Sequence, residues 1–471
     1  MEKHEQSLKR ELGLLTGILL VAGLLIGSGV FQKIVPMAQT NLGEVGILLA
    51  WATAGLISLI GAFTIGGLTS LSEASGGIYD YLRISFGKFF SFIYGWSDFA
   101  IVGTGVNAAL ASFFAETVNS IITLPNPLQS WEHISIANYI FPFENSGIKI
   151  LGLGTLILLT IINCFGTRES GLINNLLTSA KILGILILII FGLAYSEPAA
   201  PVNIETINHA SSPKGWEYLG SFLTALLAAL WAFDGWTYVT NIGGEIKNPK
   251  RNLPIALTSG ILITTIVYLL LNYVFMHIIP LEKFSLMPDT SIGALAIAEV
   301  LLGRYGKTLL SILVIICVFG ALNSSILSLP RRYYQMAHEG YFFSNAKKIH
   351  PRYRTPVVAL LYSMVWSCIL LISYKFDPLS NMVVFTSFIF YGLLCIALFK
   401  MKRNGTIKAK VFGYPTAPIL FLIISFILTV NFIWSDPKDS AIGLILILSS
   451  IPFYLFFKHR NNGRRITQNI E

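Results

Sequence analysis

The stretch LLIGSGVF, residues 24–31, carries a Gly-Ser-Gly triplet inside an otherwise apolar run. Glycine costs about 1 kcal/mol relative to alanine inside a helix, so the triplet favours a break. A break frees backbone N–H groups at the start of one half-helix and C=O groups at the end of the other. The free N–H groups suit a carboxylate, Ser28 can add a hydroxyl donor, and Gly27 and Gly29 would let a ligand approach the backbone. The other interpretation is that the glycines pack against a neighbouring helix.

A second interruption, Asp234-Gly235, lies near the middle of the apolar run 217–243, between Phe233 and Trp236. A charge at the centre of a bilayer costs roughly 3 kcal/mol, so this aspartate is not expected without a purpose. Carbonyl groups freed by a break here suit an ammonium group. Two breaks facing each other would offer partners to both charged groups of an α-amino acid.

The composition indicates a membrane protein. The chain has 471 residues, of which 54% are hydrophobic and 12% charged, whereas soluble domains carry about 25% charged residues. A membrane-spanning helix needs about 20 largely apolar residues. Twelve runs meet this requirement: 12–37, 45–70, 89–118, 148–166, 174–196, 217–243, 254–280, 306–334, 355–374, 380–401, 413–433 and 439–458. The sequence therefore predicts an all-α polytopic membrane protein, with one transmembrane domain over residues 1–471.

The positive charges predict the orientation of the chain. If the N-terminus lies inside, 24 of the 33 Lys and Arg residues fall in cytoplasmic segments, where membrane proteins concentrate these residues. Both termini are therefore expected in the cytoplasm of a protein of the cell membrane. Because the orientation of the chain explains its excess of basic residues, no nucleic-acid partner is predicted. The four cysteines lie in or beside apolar runs with no CxxC pair, so we expect neither a metal site nor a cofactor.

The two interruptions lie in the first and sixth runs, five spans apart. An odd offset inverts the second copy relative to the first, which is typical of inverted-repeat transporters whose broken helices meet near the midplane. The expected division is a first five-helix repeat over residues 12–196 and an inverted second repeat over residues 217–401. Two additional helices follow over residues 413–458.

Several ionisable residues lie at or near membrane depth. Lys181 lies about two turns inside the fifth run and is either an internal cation, a member of a structural ion pair or a snorkelling side chain. Asp98 in the third run has no identifiable partner and is either structural or a proton site. Glu116 lies at the outer end of that run, and Glu73 is expected to shape a loop or a gate.

Four segments resemble the amino acid–polyamine–organocation superfamily. They are IGSGVF in the first run, ESGLINNLLTSAKIL entering the fifth, WAFDGW followed by GGEIKNPKRNLPIAL in the sixth, and NSSILSLPRRYYQMAHEGYF leaving the eighth. Within that superfamily they most resemble the L-type amino acid transporter family and its bacterial homologues. The resemblance covers nearly the whole chain. It implies a LeuT-like fold, with a 5+5 inverted repeat and broken helices 1 and 6, and exchange of amino acids by alternating access.

The resemblance also implies roles for individual residues. In that family the backbone of the first break receives the substrate carboxylate, carbonyls at both breaks receive the amine, and an aromatic gate closes the site. Lys181 matches the family's lysine in span 5 and would replace the sodium ion that coupled members hold between spans 1 and 8. The substrate-binding residues expected on this basis are Leu25, Ile26, Gly27, Ser28, Gly29, Trp231 as the gate, Phe233, Asp234 and Gly235.

The sequence thus predicts a sodium-independent exchanger of small neutral L-amino acids, because Trp231 and Phe233 favour a small pocket. One alternative is a proton-coupled symporter in which Lys181, Asp98 or Glu116 carries the proton, and another is a membrane sensor that binds an amino acid without moving it. Asp234 could also receive a cationic substrate.

An enzyme is not predicted, because the chain has no HExxH or GxSxG motif. The external loop 119–147 has no cysteine, whereas eukaryotic light chains use one there to bond a glycoprotein. We therefore expect no disulfide-linked heavy subunit. The expected partners are the amino acid substrate and the lipid bilayer.

Overall fold

The computed structural model describes residues 12–72, 76–136, 140–165, 167–195, 213–288 and 291–468. Helices make up 79% of the structure, and no β-strand occurs in those ranges. Glu73, which was expected to shape a loop or a gate, lies outside the described residues.

Ten helical segments of the described chain are long and apolar enough to cross a membrane. They are Leu14–Gln32, Gly43–Leu68, Lys88–Asn119, Ser146–Cys164, Trp216–Gly244, Pro249–Ile278, Tyr305–His338, Phe376–Arg403, Thr416–Ser435 and Pro437–Asn461. Two shorter apolar helices, Thr178–Leu193 and Val357–Ser373, lie on the predicted runs 174–196 and 355–374. Every predicted span thus coincides with an apolar helix, and we number them span 1 to span 12 in chain order. The protein is an all-α polytopic membrane protein, as predicted.

Shorter helices and bends connect or extend these spans. The helix that contains span 5 runs over Thr167–Leu193, and the helix of span 8 begins before the membrane, at Gly293, and bends at Gly303. The last helix of span 12 continues to Gln468. The connecting segments include Ile78–Phe86, Gln129–Trp131, Leu281–Ser285, Pro330–His338 and Ser344–Lys347.

Spans 1 and 6 are both broken at the predicted places. Span 1 consists of Leu14–Leu25, followed after a gap of three residues by Gly29–Gln32 and Ile34–Ala38. Span 6 ends its regular helix at Ala232 and resumes as a tighter helix, Trp236–Glu245. Gly235 has a φ of 100° at the break, a conformation that side chains with a Cβ rarely adopt.

The two broken helices cross at Gly29. A Cβ atom on this glycine would lie 2.5 Å from the Cβ atom of Ala232, so only glycine allows the approach. Gly27 is less crowded, because a Cβ atom there would meet no atom closer than 3.6 Å. Close helix packing therefore accounts for Gly29 but not for Gly27, where a Cβ atom would make only ordinary van der Waals contacts.

Span 3 lies at the centre of the helix bundle. In the most apolar 18-residue stretch of span 3, 94% is buried, compared with 33% of the same stretch in span 11 and 22% in span 12. Span 3 packs on span 8, and span 1 packs on span 7. Spans 11 and 12 are therefore peripheral, and the division of the other spans into two repeats stays a prediction.

Candidate functional site

The broken segments of spans 1 and 6 enclose a small cavity of about 30 Å³. Spans 3 and 8 complete its wall with Val106, Leu110, Ala321 and Ser325. Seven of the nine predicted substrate-binding residues line it: Leu25, Gly27, Ser28, Gly29, Trp231, Asp234 and Gly235. The elements that sequence reasoning paired by their interruptions therefore meet around one cavity.

The other two predicted residues lie behind this wall. The carbonyl oxygen of Ile26 accepts a hydrogen bond from the lysine of span 5. The ring of Phe233 packs against Trp51 and Tyr268, with centroid separations of 6.3 and 5.1 Å. Phe233 thus supports the broken segment of span 6 from outside the cavity.

The break in span 1 leaves backbone donors free. The N–H groups of Gly27, Ser28, Gly29 and Val30 have no backbone acceptor within the described part of the chain. Buried N–H groups without a partner are rare in folded proteins because each costs the desolvation of a polar group. Converging donors of this kind can bind a carboxylate.

Lys181 reaches the inner half of span 1 from span 5. Its ammonium nitrogen lies 2.7 Å from the carbonyl oxygen of Gly23 and 3.0 Å from that of Ile26. The side chain is fully buried. A positive charge thus lies against the carbonyl end of the first half-helix, where the helix dipole favours a cation.

Tyr268 of span 7 touches both breaks, which the sequence did not indicate. Its hydroxyl oxygen lies 2.7 Å from the carbonyl oxygen of Leu25 and 3.1 Å from that of Ala232. One hydroxyl proton can bond only one of these acceptors at a time. Tyr268 therefore ties the last carbonyls of the two interrupted half-helices to a continuous helix.

Trp231 lines the cavity on the side that faces span 10. Its indole N–H donates to the Ser28 hydroxyl at 3.3 Å, and its ring meets Phe376 of span 10 edge-on at 5.4 Å. Close to Phe376, the ammonium of Lys33 pairs with Asp377 at 2.7 Å. An aromatic contact and an ion pair thus lie on this side of the cavity.

Asp234 is held by two tyrosine hydroxyls. Tyr238 donates to one carboxylate oxygen at 3.3 Å, and Tyr391 of span 10 donates to the other at 3.4 Å. The residue lines the substrate cavity and also a second, smaller one that it shares with Phe388. Its carboxylate is thus bound between spans 6 and 10.

Asp98 has a partner that the sequence did not reveal. Its carboxylate forms an ion pair with Arg332, in the helix Pro330–His338 at the end of span 8, and both side chains are fully buried. Tyr333 donates to the same carboxylate at 3.0 Å, and Arg332 donates to Asn241 of span 6 at 3.1 Å. Arg332 is one of the 24 basic residues that the charge count places on the cytoplasmic side. The structure buries this side chain, and its contacts join spans 3, 6 and 8.

The local structure of span 3 explains how Asp98 reaches that position. The helix widens into a π-helical turn over Asp98–Val102, where the Thr104 hydroxyl donates to the Phe99 carbonyl at 2.6 Å. Such turns insert one residue into a helix and shift the faces of its two parts. Glu116, at the outer end of the span, accepts a hydrogen bond from Ser112 at 3.0 Å.

A second charged cluster lies in the loop between spans 2 and 3. Arg83 pairs with Asp80 at 3.1 Å and with Glu339 at 3.3 Å, and Tyr79 donates to Glu339 at 2.9 Å. Burial raises the pKa of Asp80 above its usual value, and the adjacent Arg83 partly opposes that rise. The cluster fastens this loop to the helix after span 8.

Comparison with known proteins identifies relatives along the whole chain. The family model described as amino acid permease matches residues 12–457. The serine/threonine exchanger SteT of Bacillus subtilis is 29% identical over 465 residues, which cover 98% of this chain and 99% of that protein. The mouse b(0,+)-type amino acid transporter 1 is 27% identical, over 98% of this chain and 91% of its own length. The human large neutral amino acids transporter small subunit 2 is also 27% identical, over 96% of this chain and 82% of its own length.

Proposed function

This chain belongs to the amino acid permease family, and on that premise we propose that it exchanges small neutral L-amino acids across the cell membrane without sodium. That it is an amino acid transporter, and not an enzyme, follows from the family and from the named relatives. The exchange mode, the independence of sodium and the size of the substrate are the parts proposed here.

The proposed binding mode uses the two breaks. The free N–H groups from Gly27 to Val30 receive the carboxylate, with the Ser28 hydroxyl beside them. The amine faces the carbonyl groups of Leu25, Trp231 and Asp234, although Leu25 already accepts a bond from Tyr268 in this conformation. A cavity of about 30 Å³ under Trp231 favours a short side chain over a large one. The relative from Bacillus subtilis, named a serine/threonine exchanger, supports the same size class.

Lys181 is the observation that carries the proposal of sodium independence. Its ammonium donates to the carbonyls of Gly23 and Ile26, which are oxygen ligands of the type that a bound alkali cation would need. A tethered ammonium supplies that charge permanently, so the site needs no ion from solution. The inner half of span 1 stays tied to span 5 by this contact.

Three carboxylates at membrane depth support a second candidate function, a proton-coupled symporter of the same fold. Asp98 is fully buried, Glu116 and Asp234 are half-buried, and Asp234 also lines the proposed substrate cavity. Asp98 is the weakest candidate of the three, because its carboxylate is already engaged in a buried ion pair with Arg332. The arrangement therefore favours Asp234 over Asp98 as a proton carrier or as a contact for a cationic substrate.

Uptake into proteoliposomes distinguishes these functions. Vesicles are loaded with an unlabelled amino acid or left empty, and uptake of a labelled panel is measured in sodium and in choline buffers. An exchanger takes up label only into loaded vesicles and ignores sodium. Uptake into empty vesicles that follows an imposed pH gradient would instead establish the symporter, and tight binding without flux would establish a sensor.

We further propose that both termini lie in the cytoplasm and that no heavy subunit is bonded through a disulfide. The four cysteines are free, and none lies in the external loop 119–147. Labelling of single-cysteine variants at each terminus with a membrane-impermeant reagent tests the orientation. Electrophoresis of the native membrane protein without reductant tests for a bonded partner.

A further inference from the structure

A basic cavity of about 260 Å³ lies where the ends of spans 3, 8 and 12 that we propose to be cytoplasmic meet. It shares no lining residue with the proposed substrate cavity. Its wall combines the first residue of span 3, the end of span 8 with the segment that follows it, and the end of span 12. The lining residues are Lys88, Ala337, His338, Glu339, Gly340, Tyr341, Phe342, Ser344, Lys347, Phe457, Arg460 and Asn461.

Three cationic side chains lining this cavity have no carboxylate partner in the described ranges. They are Lys88, Lys347 and Arg460, and all three are exposed. Lys88 lies over the ring of Tyr341, 5.6 Å from its centroid. Three like charges around one hollow repel one another unless an anion lies between them.

The single acidic residue of the lining does not neutralise them. The carboxylate of Glu339 is engaged by Arg83 at 3.3 Å and by the Tyr79 hydroxyl at 2.9 Å. Its charge is therefore already balanced by Arg83. The cavity keeps a net positive charge suited to a phosphoryl group.

The surface beside the cavity is apolar. Phe89 and Phe90, directly after Lys88, expose 38% and 39% of their area, and Leu455 and Phe456, just before the lining residue Phe457, expose 57% and 56%. The cavity therefore opens at the point where a lipid-facing surface begins. A soluble anion would leave this apolar surface uncovered, whereas the acyl chains of a lipid would cover it.

We propose that this cavity binds the phosphoryl headgroup of an anionic phospholipid, with its acyl chains along spans 3 and 12. Basic pockets between helices on the cytoplasmic side are suited to such headgroups. The bound lipid would join Lys88, Lys347 and Arg460. Lys347 lies in the segment that follows the helix of Arg332. A lipid bound to Lys347 would therefore hold that helix in place and keep the inner approach to the proposed substrate cavity closed.

Binding of defined lipids to the purified full-length protein tests the proposal. Native mass spectrometry compares retention of dioleoyl phosphatidylglycerol with that of dioleoyl phosphatidylcholine. Each basic residue near an anionic headgroup contributes about 1 kcal/mol, a factor of about 5 in affinity. Lys347→Gln and Arg460→Gln should therefore each weaken phosphatidylglycerol binding about fivefold, and the triple variant that adds Lys88→Gln about a hundredfold.

Two neighbouring residues provide matched controls. Lys348 and Lys458 are exposed, belong to the same segments and do not line the cavity. Lys348→Gln and Lys458→Gln should leave phosphatidylglycerol binding within about twofold of the wild type. If the cavity and control variants lost phosphatidylglycerol binding equally, the binding would depend on general surface charge, and the proposed site would be wrong. Unchanged unfolding temperatures in phosphatidylcholine would show that the triple variant is folded.

Inorganic phosphate distinguishes the source of the phosphoryl group. In detergent at matched ionic strength, phosphatidylglycerol should raise the unfolding temperature of the wild type but not that of the triple variant. Phosphate alone should leave both unchanged, because it cannot cover the apolar surface. If phosphate stabilised the wild type as much as the lipid did, the site would belong to a soluble phosphate, and the lipid part of the proposal would be wrong.

Discussion

The ammonium nitrogen of Lys181 lies 2.7 Å from the carbonyl oxygen of Gly23, one turn before span 1 breaks. A second contact of 3.0 Å reaches Ile26, at the break itself. A single charged group in span 5 therefore satisfies carbonyls that the interruption of span 1 would otherwise leave unpaired. The same side chain places a positive charge beside the proposed substrate site.

Replacing this lysine should impair exchange while preserving the fold. Lys181→Met removes the charge and keeps most of the volume. Hydrogen bonds from charged groups contribute about 1.5–3 kcal/mol, so exchange in proteoliposomes should fall about 10- to 100-fold. Leu183→Ala, at a residue of the same helix that is 61% exposed, should exchange at the wild-type rate. Wild-type exchange by Lys181→Met would exclude the tethered cation from the mechanism.

Tyr268 should affect substrate affinity through both breaks. Tyr268→Phe removes the hydroxyl that contacts Leu25 and Ala232 but keeps the ring packed on Trp51 and Phe233. A neutral hydrogen bond contributes about 0.5–1.5 kcal/mol, so the half-saturating substrate concentration should rise about 2- to 10-fold.

The control for this prediction lies one and a half turns further along span 7. Tyr273 is 48% exposed and stacks only on His277 among described aromatic rings. Tyr273→Phe should leave the half-saturating concentration unchanged. If both variants shifted it equally, the loss would come from the general packing of span 7 and not from the breaks.

The two breaks could be predicted from the sequence because each contains residues that are unusual within an apolar helix. Glycines at 27 and 29 and an aspartate at 234 are out of place in apolar runs, so the interruption can be recognised locally. The contacts of Tyr268 could not be predicted in this way. A tyrosine in an apolar span has many explanations, and the carbonyls that it meets belong to helices far away in the chain.

The partner of Asp98 could not be predicted from the sequence either. The unpaired aspartate indicated that some partner was needed, but charge counting placed Arg332 in a cytoplasmic segment with Arg331. Only the fold of the helix Pro330–His338 turns one of two adjacent arginines into the bundle. Position along the chain predicts the side of the membrane and not the burial of a side chain.

Trp231 should limit the size of the substrate. Trp231→Ala removes the ring that contacts Ser28 and Phe376 above the cavity. Larger amino acids such as leucine and phenylalanine should then compete with uptake of the small substrate, whereas they should not compete in the wild type. Competition by a panel of unlabelled amino acids measures the change.

A tryptophan at the start of the same helix gives the control. Trp216 is 86% exposed, so its removal tests only the loss of an indole from span 6. Trp216→Ala should keep the substrate range of the wild type. An unchanged range in Trp231→Ala as well would remove Trp231 from the gate and leave the size limit to the backbone of the breaks.

The ion pair of Asp98 and Arg332 should dominate the stability of the inner closure. Asp98→Asn leaves a guanidinium buried without a counter-charge, which costs about 3–5 kcal/mol. Unfolding in mixed detergent micelles measures this loss, and the double variant Asp98→Asn with Arg332→Gln should lose less than the two single variants together. The pair of Lys375 and Glu144, 2.8 Å apart, is instead partly exposed, with 63% and 30% of the two side chains accessible. Glu144→Gln should therefore cost less than about 1 kcal/mol, and an equal cost for both pairs would show that burial does not set their strength.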